Sequence, residues 1–370
     1  MKTINLYMCG PTLFDFVHIG CYRIFILADI IDKHFTSKGY EVNHGINIMD
    51  IDDKIISNYK KNKDFTTDIY YDSLRTEFDA LNIRYPNKET RTTSSVKDIQ
   101  KLIKHYLKQD IAYETDSGIY LDLLKISNYG ELSNIDIANN KAHITILDKR
   151  NISDPSLWRF TDDINSYVFM KKKGRPGWDV QCANCCISKM SSKIDYQFAG
   201  FNDVTHYENN KVLIENSYNY DGYQSKWILP KYINFVDNTP CYYMKDFLEL
   251  YSRQVLKYAM YSMSYSTQFD LSLEYFDNCQ KNVNKLNVFY NKISNICEFS
   301  DSDDNDVNFV LEKLHNIDFL IENLKITVIF GLIFKLIRII NRNNFYISKK
   351  QINEILNLFK YLNERLDFII

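Results

Sequence analysis

His18-Ile19-Gly20 follows a short apolar run, Ile4 to Met8, and the turn Cys9-Gly10-Pro11. It opens a stretch in which Ile24, Ile26, Leu27, Ile30 and Ile31 recur at helical spacing. A helix start at this point aims unpaired N–H groups and a positive dipole end at an anion such as a phosphate. A histidine there can add a donor to a triphosphate as charge builds in a transition state. Taken alone, the tripeptide favours a plainer reading, a capping or packing histidine. The cysteines are also chemically suggestive: Cys9, Cys21, Cys182, Cys185, Cys186, Cys241, Cys279 and Cys297 show no framework spacing. A chain of this size needs no disulfide staples, so reduced thiols in a cytosol-like compartment are expected. Without further context Cys9, Cys182 and His206 read as ordinary core residues.

The elements that must position these groups follow from periodicity. Ile4 to Met8 predicts a strand, Gly20 to Phe35 a helix closed by Lys38-Gly39-Tyr40, and Glu41 to Ile48 the next strand. This βαβ unit opens a doubly wound parallel sheet, whose ligands lie at the C-terminal strand ends, where Cys9 and Asn47 to Asp50 fall. From about Tyr85 to Arg175 the pattern is irregular, with a helical stretch at Val96 to Leu107 and hairpin-like segments at Tyr113 to Asp122 and Ala142 to Leu147. It reads as an insertion between two halves of a nucleotide-binding fold. Gly174-Arg175-Pro176-Gly177 then predicts a turn into a strand, Trp178 to Cys182, that returns to the sheet. Beyond about Met244 nearly everything is helical, with Asp301 to Asp306 as a solvated linker.

Composition narrows the class without naming a function. The 370 residues, 45% apolar and 25% charged, suit a soluble protein of two or three domains. A formal charge of −2 means that any nucleic-acid contact must come from local patches. Neither a signal-peptide core nor an Arg-rich presequence opens the chain. The apolar stretch Thr327 to Ile340 contains Lys335 and Arg338 and is too short to span a bilayer, so it reads as a bundle helix.

Tyr7 to Ile56 resembles the opening of cysteinyl-tRNA synthetases almost residue for residue: that family reads Y-x-C-G-P-T-V-Y-D-x-x-H-I-G-H-x-R, then N-I-T-D-I-D-D-K-I. Further matches follow in order at LNIRYP with Arg91-Thr92, AYETDSGIYLDL, YGELS, Asp154 to Trp158 and GRPGWDVQC, and the resemblance runs to roughly Asn341. It implies an α/β fold: the Rossmann-like doubly wound parallel sheet of a class I synthetase, with an inserted α+β subdomain and a C-terminal α-helical bundle. Residues 1–84 and 176–243 would be the halves of the catalytic domain and 85–175 the inserted connective subdomain. Residues 244–300 would form a helical stem-contact region, and 301–370 a C-terminal bundle with the anticodon-reading region shortened or absent.

The resemblance also implies a site. ATP would be bound by Gly10, His18, Gly20, Gly200 and Asp203, with His18 catalytic and Trp178 against the substrate. One Zn²⁺ would be held by Cys9, Cys182 and His206, and would take the thiolate of the substrate cysteine, which zinc prefers to a hydroxyl. The fourth family ligand is a glutamate, replaced here by Asn210, a weak zinc ligand; Glu208 or Cys185 are the candidate substitutes. Other departures are Met49 for the threonine of N-I-T-D, Cys21 for the last histidine of HIGH, and Phe198-Ala199-Gly200-Phe201 for a glycine run beside adenosine. The second class I signature, K-M-S-K-S, is missing between Val236 and Met244. Lys189-Met190-Ser191-Ser192-Lys193 matches it as text but in the wrong place. The expected function is ATP-dependent activation of cysteine and transfer to the acceptor end of tRNA(Cys), by a cytoplasmic protein, a monomer without membrane association. The missing loop sets two alternatives beside it: a non-catalytic paralog that binds RNA, a nucleotide or a partner protein, and a tRNA-independent cysteine ligase.

Overall fold

A computed structural model of the chain describes residues 2–135, 148–190, 193–222, 224–236 and 242–369. The expected hairpin segment at Ala142 to Leu147, and residues 237–241 where K-M-S-K-S would fall, lie outside these. Among the described residues the strands are β1 (Thr3–Met8), β2 (Glu41–Ile48), β3 (Lys88–Arg91), β4 (Ala112–Glu114), β5 (Gly118–Leu121), β6 (Ser156–Phe160), β7 (Tyr167–Phe169), β8 (Lys172–Pro176), β9 (Tyr196–Phe198), β10 (Lys226–Ile228), β11 (Ile233–Phe235) and β12 (Phe269–Leu271).

The chain divides into two compact units. The first comprises residues 1–17, 41–76 and 85–229. Its parallel sheet has the order β10-β9-β1-β2-β3. Leu6 and Met8 of β1 and Ile46 and Ile48 of β2 are fully buried, as expected of a sheet covered on both faces. The chain runs outward from β1 to β2 and β3 on one side and to β9 and β10 on the other. The switch point between β1 and β9 is where doubly wound sheets place ligands. A second, antiparallel sheet, β4-β5-β6-β8-β7, packs Trp158 against Phe169 in the same unit.

One sequence expectation fails here. Trp178 to Cys182 is not a strand returning to the parallel sheet; it begins the helix Trp178–Met190. The strand that precedes it, β8, belongs to the antiparallel sheet and ends at Pro176, after which Gly177 N–H bonds Leu157 O at 2.9 Å. Trp178, Val180 and Cys182 alternate like a strand, but the buried positions continue through Ala183, Cys185, Cys186, Ile187 and Met190. Asp179 in the first turn complements the helix dipole.

The second unit comprises residues 18–40, 77–84 and 230–370. It holds the helices Tyr22–Ser37, Met244–Leu250, Arg253–Ser262, Leu273–Ser294, Asn305–Leu314, Ile317–Glu322, Ile326–Arg342 and Lys349–Leu366, with β11 and β12 paired in parallel. The helix Ile326–Arg342 buries Ile329, Phe330, Ile333, Leu336 and Ile340 along one face, while Val328 is exposed. That is the bundle helix read from Thr327 to Ile340. No helix among the described residues is long and apolar enough to cross a membrane.

Candidate metal and nucleotide-binding site

Within the first unit, the turn after β1 presents Cys9, the second turn of the helix Trp178–Met190 presents Cys182, and the first turn of the helix Val204–Glu215 presents His206. Although distant in sequence, the three donor atoms lie within 4.8 Å of one another. Cys9 Sγ is 3.8 Å from Cys182 Sγ and 3.9 Å from His206 Nε2. Two thiolates bound at about 2.3 Å to a tetrahedral Zn²⁺ would sit about 3.8 Å apart, so the sulfur spacing fits that ion. Cys182 thus reaches the site from a helix rather than from the expected strand end.

Charge and hydrogen bonding tie the three groups together, and a metal ion taken up there would displace their remaining protons. The Cys182 thiol beside it pulls the Cys9 thiol down to about 6, against the effect of burial and with help from His206. Burial pushes the Cys182 thiol up. Burial disfavours a charged His206, but Asp179 and then Cys9 hold its pKa up at about 10. His206 Nδ1 meets Asp179 Oδ1 at 2.5 Å, which fixes the ring with Nε2 toward the sulfurs. Asp179 is steadied in turn by Asn209 Nδ2 at 3.0 Å, whose Oδ1 accepts from Tyr129 OH at 3.1 Å. Such carboxylate–histidine pairs are the usual support of a metal-ligating imidazole. The Trp178 ring stacks on His206, centroids 4.2 Å apart, with 39% of the tryptophan exposed.

Asn210 lies one helical turn after His206, so its amide falls on the same face, Nδ2 3.0 Å from His206 Nε2. Its Oδ1 is buried without a partner among the described residues, and turning the amide over would bring that oxygen to the cluster. The candidate substitutes are not brought in. Glu208 accepts from Ser133 N–H at 2.8 Å, and Cys185 is buried outside the group, its thiol pushed up to about 12 by burial.

The remaining predicted residues are placed as follows. Gly10 lies just past β1, where an added Cβ would sit 1.7 Å from Asn47 O. Only glycine allows this approach, and Gly10→Ala is expected to cost about 1–3 kcal/mol by overpacking. Denaturant unfolding checks this, and metal content should fall with it. Gly200 follows β9 and its carbonyl accepts from Asp203 N–H at 3.1 Å; Asp203 begins the helix carrying His206. His18 and Gly20 belong to the second unit. His18 precedes a 3-10 turn, Ile19–Cys21, with Nε2 3.1 Å from Cys21 Sγ and its ring against Phe235 and Tyr242. Burial lowers its pKa. Met49, in the family's threonine position, is buried and meets Thr12 Oγ1 through sulfur at 3.9 Å. Lys189 and Met190 end a helix, and Met190 is buried, its sulfur 2.4 Å from where a Cβ on Gly45 would stand.

The fold and this site define a class I aminoacyl-tRNA synthetase catalytic body. In structure the chain is similar to Mycobacterium tuberculosis methionyl-tRNA synthetase in complex with methionyl-adenylate (TM-score 0.69, 12% identity, 92% of this chain and 83% of that one). It is also similar to Agrobacterium radiobacter K84 agnB2 LeuRS in a ternary complex with tRNA and LeuAMS (TM-score 0.72, 8% identity, 99% of this chain and 84% of that one). At such identities the likeness shows the fold alone. The profile of the tRNA synthetases class I (C) catalytic domain matches residues 1–281, and the chain belongs to that family. Among curated relatives it is 31% identical over 303 residues to a cysteine–tRNA ligase of Buchnera aphidicola, covering 77% of this chain and 65% of the relative. It is 30% identical over 312 residues to one of Methanococcus aeolicus, covering 80% and 64%. The chain thus spans just under two thirds of the length of these relatives.

Proposed function

We propose that the protein is a cysteine–tRNA ligase: it activates cysteine with ATP and transfers it to the acceptor end of tRNA(Cys). The observation that carries this is the convergence of Cys9, Cys182 and His206 at the sheet's switch point, with a sulfur spacing that suits Zn²⁺. Bound there, Zn²⁺ would supply a centre that prefers a thiolate to a hydroxyl, which selects cysteine over serine. Cys9 and Cys182 would hold it as thiolates and His206 through Nε2, with Asn210 at the fourth position. Asp179 orients the imidazole, and Trp178 covers the ring on the side open to solvent. Gly10, His18, Gly20, Gly200 and Asp203 keep their proposed ATP roles, Trp178 its substrate role, and the domain limits read from the sequence are part of the same proposal, as are a cytoplasmic location and a monomeric state.

The test is cysteine-dependent ATP–pyrophosphate exchange by the purified, zinc-loaded chain, followed by transfer to tRNA. Exchange with cysteine and not with serine supports the reading; zinc-loaded protein without exchange removes it. A second reading, a non-catalytic paralog that binds RNA, a nucleotide or a partner protein, is favoured by Met49 and Asn210, which stand where the family has a threonine beside the substrate and a zinc-binding glutamate. Binding of tRNA or a cysteinyl-adenylate analogue without turnover is its signature.

Asn210→Glu separates a tuned site from a decayed one. A carboxylate one turn beyond His206 is a stronger zinc ligand than an amide. We expect zinc affinity to rise by about tenfold, measured by chelator competition.

A further inference from the structure

Asn47 lies in β2 and is buried, between Ile46 and Ile48. Its amide nitrogen is 3.1 Å from Cys182 Sγ. The oxygen of the same amide accepts from Tyr7 OH at 2.7 Å and from Gly10 N–H at 3.0 Å. The backbone N–H of Gly10 can only donate, so the opposite orientation would set an NH₂ against it, donor to donor. The amide is therefore fixed, with a hydrogen aimed at sulfur. Gly10 reaches this position because it lacks a Cβ, as described above. With the amide fixed, one of the two hydrogens on its nitrogen faces Cys182 Sγ, and that sulfur is one of the three clustered donors.

We propose that Asn47 is a positioning residue for the metal-bound thiolate: its N–H donates to Cys182 Sγ, holds that sulfur toward the cluster, and withdraws electron density from it. The proposal rests on the zinc reading and goes beyond it. A hydrogen bond to one of two protein thiolates weakens that ligand's donation, which leaves the ion a better acceptor for a further thiolate, that of the substrate. Tyr7 supports it, holding the amide through its oxygen while its own hydroxyl also lies against the Cys182 thiol.

The test uses the full chain loaded with Zn²⁺ or, for spectroscopy, Co²⁺. Asn47→Leu removes the donor. Asn47→Asp keeps an acceptor for Tyr7 and Gly10 and replaces the donor by an oxygen, so it addresses the donor even if the leucine variant fails to fold. In the folded variants zinc affinity, by chelator competition, is expected to fall about 10–100-fold. The sulfur-to-cobalt charge-transfer band should move to longer wavelength as the thiolate regains electron density, an effect that a purely structural role does not produce. Tyr7→Phe should give a smaller shift in the same direction. Wild-type protein that takes up metal, beside an Asn47→Asp variant with unchanged band and affinity, overturns the assignment of Asn47. Wild-type protein that takes up neither ion overturns the zinc reading itself, and this inference with it.

Discussion

Cys182→Ala is expected to strip the metal from the protein and, with it, any preference for cysteine. The apparent free energy of a four-ligand zinc site is about 10–16 kcal/mol, so one thiolate accounts for roughly 3–4 kcal/mol, or about 10²–10³ in affinity. The loss should exceed that of any supporting residue, because Cys182 lies 3.8 Å from Cys9 and is the largest influence lowering the Cys9 thiol. Cys185→Ala is the control: it sits on the same helix, equally buried, and outside the cluster. Metal analysis should find about one zinc per chain in the wild type and the control, and none after dialysis of Cys182→Ala. Zinc retained by Cys182→Ala would place the ion elsewhere and end the case for this centre.

How far the sequence reached can be judged residue by residue. β2 is where Glu41 to Ile48 predicted it, because Val42, Ile46 and Ile48 alternate with Asn43 and Asn47 between a glycine turn and an acidic segment. The helix Trp178–Met190 was missed because a run of five residues, Trp178 to Cys182, fits both periods; the deciding burial at Cys186 and Met190 lies one to two turns further on. The grouping of Cys9, Cys182 and His206 was accessible through family resemblance and not through spacing, since contacts across 173 and 197 residues leave no local periodicity. Asp179 and Asn209 were passed over, and Asn47 was placed at a ligand-bearing strand end without a role. For Asp179, between Trp178 and Val180, and Asn47, between Ile46 and Ile48, the signal was present, since polar side chains among apolar neighbours must find partners when buried; Asn209, between Glu208 and Asn210, gave none. Which partners they find depends on how the sheet and the two helices converge, and no local pattern contains that.

In the second unit the largest expected stability effect is at Asp367. Its carboxylate accepts from Lys257 at 2.9 Å and from Arg253 at 2.8 Å, and Lys257 is 1% exposed. Asp367→Ala leaves a buried amine short of its counter-ion, which typically costs about 3–5 kcal/mol. Asp367→Asn keeps the left-handed backbone at φ 49° with an asparagine, which tolerates it, and should be milder. The pH dependence identifies the cause. Burial, helped by Lys33, pulls the Lys257 amine from its ordinary 10.5 to about 8, while Asp29 and Asp367 oppose that fall. Between about pH 8 and 10 the unfolded chain therefore holds more of this proton than the folded one, so stability rises with pH across that window. Below it both states are protonated and the cost of the buried charge is borne in full. Removing Asp367 depresses the amine further, so the rise should begin at lower pH, whereas Lys257→Met should abolish it. Urea unfolding from pH 6 to 10 reads all three; a profile of Asp367→Ala that parallels the wild type would show that the carboxylate does not govern this lysine.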